Sequence, residues 1–390
     1  MESRVNEVAN KLVKVRNSLV DLFVQREAEI TGILVGMLSR EATILVGPPG
    51  TAKTKLLTTL AKLTNCNIFQ IWLSPETDED SLFGPLDIKA YREGRLTRIT
   101  KGFIPTADIV LIHEVFRSNR GVRDALLSAL EEKVVKIGGH MVQLPCLAFY
   151  FDTNFISTDE EDLAFWDRMT VRLFVKYVSS DKWEELFSVA IDLEANNNLN
   201  PIMNRDDILL LQEVVRSRFL TLKNASTLIR KYILVLNDLM QQGIEVSDRK
   251  KIKVLKIASA LSILYMEKSV SLDSLADALR LCIPNDEDEL EKIEDIILKN
   301  QLSSYYSQIQ KLQTLHAELK NAIQKFMSKE KKTIEDLEFL SSVRRNAIKE
   351  LSRLPTNPRL LPYVRPLLQA IDEAGKILEN VKERILPNDI

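Results

Sequence analysis

The sequence predicts an α/β fold: a parallel sheet flanked by helices, followed by an all-helical lid and a C-terminal helical bundle or arm. Three observations predict it. Short apolar runs alternate with helical patterns up to about Tyr177, as strands joined by helical crossovers do. Beyond Tyr177 the pattern is purely helical. From Leu298 onward apolar residues step alternately by four and three, which is a heptad seam.

At 390 residues the chain has room for about two or three domains, each with its own core. A hydrophobic content of 45% and a formal net charge of −2 describe an ordinary soluble protein and argue against nucleic acid as the partner. Cys66, Cys146 and Cys282 form no C-x-x-C pair and read as small buried hydrophobes of a reducing compartment. His113, His140 and His316 are too scattered for a zinc site. No leader pattern and no membrane-length apolar run is seen, so the expected location is cytoplasmic.

Taken in order, residues 4–39 read as helices, with Val5, Val8, Leu12, Val15, Leu19 and Leu22 at helical spacing. Ile44–Val46 is the first strand, Lys53–Leu63 a helix, and Ile68–Leu73, Ile109–Ile112 and Leu147–Phe151 further strands, with a helix over Asp124–Glu132. Two segments read as hairpins: Tyr91–Arg98, turning near Glu93-Gly94, and Val134–Leu144, turning at Gly138-Gly139. Asn196–Pro201 is a turn-rich linker, and helical patterns then cover Asp206–Phe219, Asn224–Gln241, Asp248–Glu267 and Ser271–Cys282. The expected domains are therefore 1–195, a nucleotide-binding αβα domain; 196–285, an all-α lid; and 286–390, the bundle or arm. In the last, one continuous helix over Asp288–Ser328, about 60 Å long at the standard rise, carries the seam, with His316 on it as a polar core residue.

The stretch from Ala42 to Thr54 organises the chemistry. An apolar strand ends abruptly in Gly47-Pro48-Pro49-Gly50-Thr51-Ala52, and a helix begins at Lys53-Thr54. Small residues let successive backbone N–H groups curl around a polyphosphate, the lysine reaches the β/γ-phosphates, and the hydroxyl of Thr54 holds Mg²⁺. The helix behind them directs its positive end at the anion. Ala52 stands where this pattern normally has its second glycine, and alanine tolerates left-handed backbone less well.

Asp108–His113 is a buried strand ending at Glu114. Phosphate-loop ATPases usually end this strand in Asp-Glu, the Asp serving the Mg²⁺ shell and the Glu activating the attacking water. Glu114 is present, but His113 occupies the Asp position, and a neutral imidazole brings no negative charge. Either Mg²⁺ affinity and hydrolysis are reduced, or the change is tolerated because Thr54 and the phosphates hold the metal. Asn154, after the later strand, is placed to hold the attacking water. Arg168 and Arg172 are four apart on one expected helical face, and a guanidinium of this kind can reach a neighbouring subunit's site. Arg249 opens a lid helix and can contact the nucleotide from there.

With these residues assembled, residues 1 to about 285 resemble an AAA+ ATPase of the MoxR family, nearest its RavA-like branch. Gly47–Thr54 matches that branch's Walker A loop, alanine included; Leu82–Leu86 with the segment up to Pro105 is similar to its helix-2 insert, and the Gly138-Gly139 hairpin to its pre-sensor hairpin. The resemblance implies Asn154 as sensor 1, Arg168 as arginine finger and Arg249 as sensor 2. It also implies a homo-hexameric ring that binds ATP and Mg²⁺ between subunits, remodels protein substrates and works with a von Willebrand factor A (vWA) domain partner. A nucleotide-gated scaffold with weak or absent hydrolysis is the alternative. A nucleic-acid motor using Lys136 or Arg95 on the hairpins ranks behind both, given the net charge.

Overall fold

The N-terminal periodicity forms two helices, α1 (Glu2–Leu22) and α2 (Glu27–Ser39), parted by a short turn where Gln25 takes a φ of 55°. The computed structural model describes residues 2–137, 140–156, 160–195, 199–329, 333–354 and 358–385. The chain divides into two compact units, Met1–Leu302 and Ser303–Ile390.

In the first unit β1 (Thr43–Val46) leads through a loop to α3 (Lys53–Leu63) and β2 (Ile68–Trp72). Two short helices, α4 (Glu79–Phe83) and α5 (Ile88–Arg92), precede β3 (Ile109–His113) and α6 (Arg120–Glu132). Then come β4 (Val134–Ile137), β5 (His140–Gln143), β6 (Ala148–Thr153), α7 (Glu160–Arg168) and β7 (Val171–Phe174). Five of these strands form one sheet in the order β2-β3-β6-β1-β7. Every pairing in it is parallel, as the strand–helix alternation predicts. The two-residue period of a strand explains why apolar runs suit it. Leu45, Leu111 and Tyr150 face one hydrophobic core, shared with α1, α2 and α3. Ile44, Ile112 and Phe151 face the other, under α6 and α7.

Two local expectations are corrected. Tyr91–Arg98 is not a hairpin: the Asp87 carboxylate accepts from the backbone N–H groups of Lys89 and Ala90, so a capped helical turn forms and Gly94 (φ 79°) closes it. Strand-like pairing survives only as a single antiparallel bridge between Leu86 and Arg98. The second hairpin does form, β4 pairing with β5 from Val134↔Gln143 to Ile137↔His140, while its Gly138-Gly139 turn lies outside the described residues. Arg168 and Arg172 do not share a helical face. Helix α7 ends at Arg168, and the β-branched, apolar segment after it joins the sheet edge as β7, which the sequence reading lacked.

The helices that follow are α8 (Trp183–Ala195), α9 (Arg205–Thr221), α10 (Ser226–Gln241), α11 (Asp248–Leu264), α12 (Leu272–Cys282) and α13 (Glu287–Lys299). Leu211, Val254, Leu261 and Leu275 share one core with Leu12, Ile33 and Leu34 of α1 and α2. Asp286 caps α13, whose Ile293 and Ile297 enter that core too. The compact unit therefore ends at Leu302, later than the expected division at 285/286.

The second unit is a three-helix bundle of α14 (Tyr306–Met327), α15 (Ile334–Ser352) and α16 (Leu361–Ile385), each in contact with the other two. The long helix expected over 288–328 is broken: α13 stops at Lys299, and Gln301 turns with a φ of 51°. Leu312, Leu315 and Leu319 are buried on α14 and His316 is half-buried, so the seam is broader than a heptad line because the helix covers two neighbours. Among the described residues no helix is long and apolar enough to cross a membrane.

Candidate nucleotide site

Gly47, Glu114 and Asn154 all follow the carboxyl ends of parallel strands (β1, β3 and β6), the edge at which open α/β sheets bind ligands. The Gly47 N–H donates to Thr153 O at 3.1 Å, and a Cβ at Gly47 would stand 2.2 Å from the Val175 carbonyl oxygen, so only glycine fits there. Gly50 has a φ of +80° and open space around it. Thr51 Oγ1 donates to Pro48 O at 2.9 Å and Tyr177 Oη donates to Pro49 O at 3.2 Å, so two of the loop's carbonyls are satisfied by side chains. Ala52 adopts φ 63°, ψ 19°, the left-handed geometry that the usual glycine would take without strain.

Lys53 opens α3 and is buried; its Nζ donates to Gly47 O at 2.6 Å and to Pro48 O at 3.0 Å. Burial pushes its pKa down, and the nearby carboxylates of Asp152 and Glu114 push back. A buried cation between a turn of small residues and two carboxylates suits the phosphates of a nucleotide bound with a divalent metal. Thr54, the next residue on the helix, is half-exposed.

Glu114 has a φ of 54°, held by its own N–H, which donates to Asp152 O at 2.9 Å. Asn154 Nδ2 donates to Glu114 Oε1. The other oxygen, Oε2, is buried and accepts no hydrogen bond, with Arg117 Nε 3.3 Å away as an ion-pair partner. That oxygen has the capacity to accept from a water. His113 is buried and fully engaged: Nδ1 lies 2.6 Å from Asp152 Oδ2, Nε2 lies 2.9 Å from Gln70 Nε2, and Trp72 stacks on the ring at 4.3 Å. If the Gln70 amide donates to Nε2, the proton of the neutral ring sits on Nδ1 and is donated to Asp152. Asp152, Gln70 and Trp72 were not singled out from sequence, although an aspartate ending the apolar run Ala148–Phe151 two residues before Asn154 was a visible signal.

The arginines lie elsewhere. Arg168 Nε pairs with Glu131 Oε1 at 3.0 Å, and Arg249 Nη2 pairs with the same oxygen at 2.7 Å. Arg249 Nη1 also reaches Asp167 Oδ2 at 2.9 Å, and Ser247 Oγ donates to Asp167 Oδ1 at 2.7 Å. Against the pull of burial, Ser247, Lys250 and Arg249 hold the Asp167 carboxyl below its usual range. Arg249 is thus engaged with the Arg168 cluster and makes no described contact with the loop Gly47–Thr54. Arg172 is buried, donates to Met169 O at 3.2 Å and to Trp166 O at 2.9 Å, and lies over the Trp166 ring at 4.4 Å; it is a structural clamp.

A phosphate loop after β1, a glutamate after β3 and an asparagine after β6 of a parallel sheet define an ATPase of the AAA+ class. Residues 10–213 match the family model of the MoxR domain in the MoxR-vWA-beta-propeller ternary systems. The chain belongs to the MoxR family. It is 32% identical over 290 residues, 74% of this chain and 75% of the relative, to an uncharacterized protein of Methanocaldococcus jannaschii. It is 26% identical to the chaperone MoxR1 of Mycobacterium tuberculosis, over 51% of this chain and 52% of that one. Its fold is similar to that of a putative ATPase from Cytophaga hutchinsonii, with a TM-score of 0.61 and 21% identity, over 76% of this chain and 96% of that one.

Proposed function

We propose that this chain hydrolyses ATP and uses the cycle to remodel protein substrates, as a cytoplasmic ring in which each site is completed by the neighbouring subunit. The observation that carries this reading is the Asn154–Glu114 hydrogen bond, which holds one oxygen of a carboxylate whose charge acts on Lys53 and leaves the other with only the ion pair to Arg117. In this reading Gly47, Pro48, Pro49, Gly50, Thr51 and Ala52 wrap the phosphates, Lys53 neutralises them, and Thr54 ligates Mg²⁺. The metal would supply charge neutralisation on the phosphate oxygens. Glu114 accepts the proton of the attacking water, and Asn154 fixes the carboxylate's orientation.

In a homo-hexamer Arg168 serves a neighbour's site as the finger and Arg249, on the lid, serves the nucleotide as the second sensor; both are gathered on Glu131 in this chain. Helices α9 to α12 act as the lid. The name of the matched family model supports a vWA-domain partner and, beside it, a β-propeller protein. The scaffold alternative draws on His113, since β3 ends without the usual carboxylate. Steady-state ATP hydrolysis by wild type and Glu114→Gln decides between the two: equal rates would remove the enzyme reading and leave the scaffold.

A further inference from the structure

His113 and Asp152 sit side by side in register on adjacent parallel strands, β3 and β6. Both are buried, and their side chains meet at 2.6 Å. Asp152 has a second role: its Oδ1 lies 3.3 Å from the Glu114 N–H, whose main partner is Asp152's own carbonyl oxygen at 2.9 Å. With Glu114, the Asp152 carboxylate opposes the fall in the Lys53 pKa that burial causes, so it acts on the same lysine. A carboxylate is therefore present at the catalytic edge of the sheet, one strand away from where the Asp-Glu pattern places it.

We infer that the two strands have exchanged roles: Asp152 carries the negative charge that the metal's water shell requires, and His113 is a positioning residue that holds that carboxylate in place. The inference rests on the ATP-binding reading above and explains why a histidine is compatible with it. An imidazole fits because it bonds Asp152 through one nitrogen while Gln70 and Trp72 fix its other side. An aspartate at 113 would instead set two like charges side by side in a buried site.

The test is binding of a fluorescent non-hydrolysable ATP analogue, first in EDTA and then with Mg²⁺ titrated in, so that no turnover is read. Asp152→Asn keeps the shape of the side chain and removes its charge. It should leave Mg²⁺-free binding no weaker than in wild type, since a negative charge beside Lys53 is lost, and raise the Mg²⁺ requirement about tenfold or more, the usual scale for a group acting through a metal's outer shell. The reversed pair, His113→Asp with Asp152→His, preserves the contact and returns the carboxylate to β3. It should recover a Mg²⁺ requirement within about threefold of wild type. Asp152→Asn with a wild-type Mg²⁺ response overturns the inference. So does an equal loss of binding with and without Mg²⁺, or a reversed pair that folds, by its melting curve, yet gains nothing from Mg²⁺. If Asp152→Asn fails to fold, the reversed pair alone decides. Wild type that binds no nucleotide in either condition overturns the ATP-binding reading itself, a separate result.

Discussion

The side-chain amide of Asn154 donates to the Glu114 carboxylate across two neighbouring strands of the sheet. An amide nitrogen can only donate, so the contact orients Glu114 without competing for the proton that it must take. Glu114→Gln should lower ATP hydrolysis by about 10²- to 10⁴-fold, the range for a general base, while leaving nucleotide binding intact. Asn154→Ala should cost about a hundredfold through misplacement of the same carboxylate. The double variant should be no slower than Glu114→Gln alone, because both changes act on one group. Additive losses, read from single-turnover rates, would show that Asn154 acts separately.

Ala52 holds a backbone conformation that its side chain opposes. Left-handed geometry costs a non-glycine residue about 1–2 kcal/mol, and the flexibility of glycine in the unfolded chain returns part of that. Ala52→Gly should therefore stabilise the nucleotide-free protein by about 1 kcal/mol. Urea unfolding measures this as a higher midpoint at unchanged slope. A lower midpoint would mean that the alanine methyl makes a contact worth more than the strain.

Arg168 and Arg249 converge on one oxygen of Glu131, so any partner phosphate must draw them from an ion pair already formed. If Arg168 serves a neighbour, Arg168→Ala should cut hydrolysis about 10³-fold or more, and Lys53→Ala should abolish it at its own site. Mixing the two inactive proteins should then restore a fraction of the activity, since some interfaces pair an intact loop with an intact arginine. Light scattering should show mixed assemblies. Mixed assemblies without recovered turnover would rule out a finger acting between subunits.

The fold was legible wherever a single periodicity governed a segment. Ile44, Leu111 and Phe151 lie in strands because apolar β-branched and aromatic runs can bury both faces only in a covered parallel sheet. β7 was missed because Val171–Phe174 is short and contains Arg172, and a charged residue in a buried strand is legible only once Trp166 is known to lie beneath it. The loop residues Gly47 to Thr54 were legible from local chemistry alone. The partner of His113 was not, because strand order puts Asp152 beside it and nothing in the spacing of residues 113 and 152 encodes that adjacency. The pairing of Arg249 with Glu131 and Asp167 depends on how α11 packs, which only tertiary contacts fix.

Glu41 ties α11 to the end of α2 and gives the fold an acid-sensitive joint. Its buried carboxylate lies 2.8 Å from Lys253 Nζ and 2.7 Å from Lys256 Nζ. Burial works to raise its pKa, but the two lysines win and lower it from 4.5 to about 2. A carboxyl whose pKa is depressed by folding contributes its full stability above the unfolded value and loses it as pH falls toward the folded value. The contribution is about 3 kcal/mol, present at neutral pH and lost between 4.5 and about 2. Glu41→Gln should flatten this part of the stability–pH curve in urea unfolding and lower stability at neutral pH, where two half-buried lysines would lose their shared counter-charge. A variant whose acid profile parallels wild type from pH 5 downward would place the acid sensitivity elsewhere.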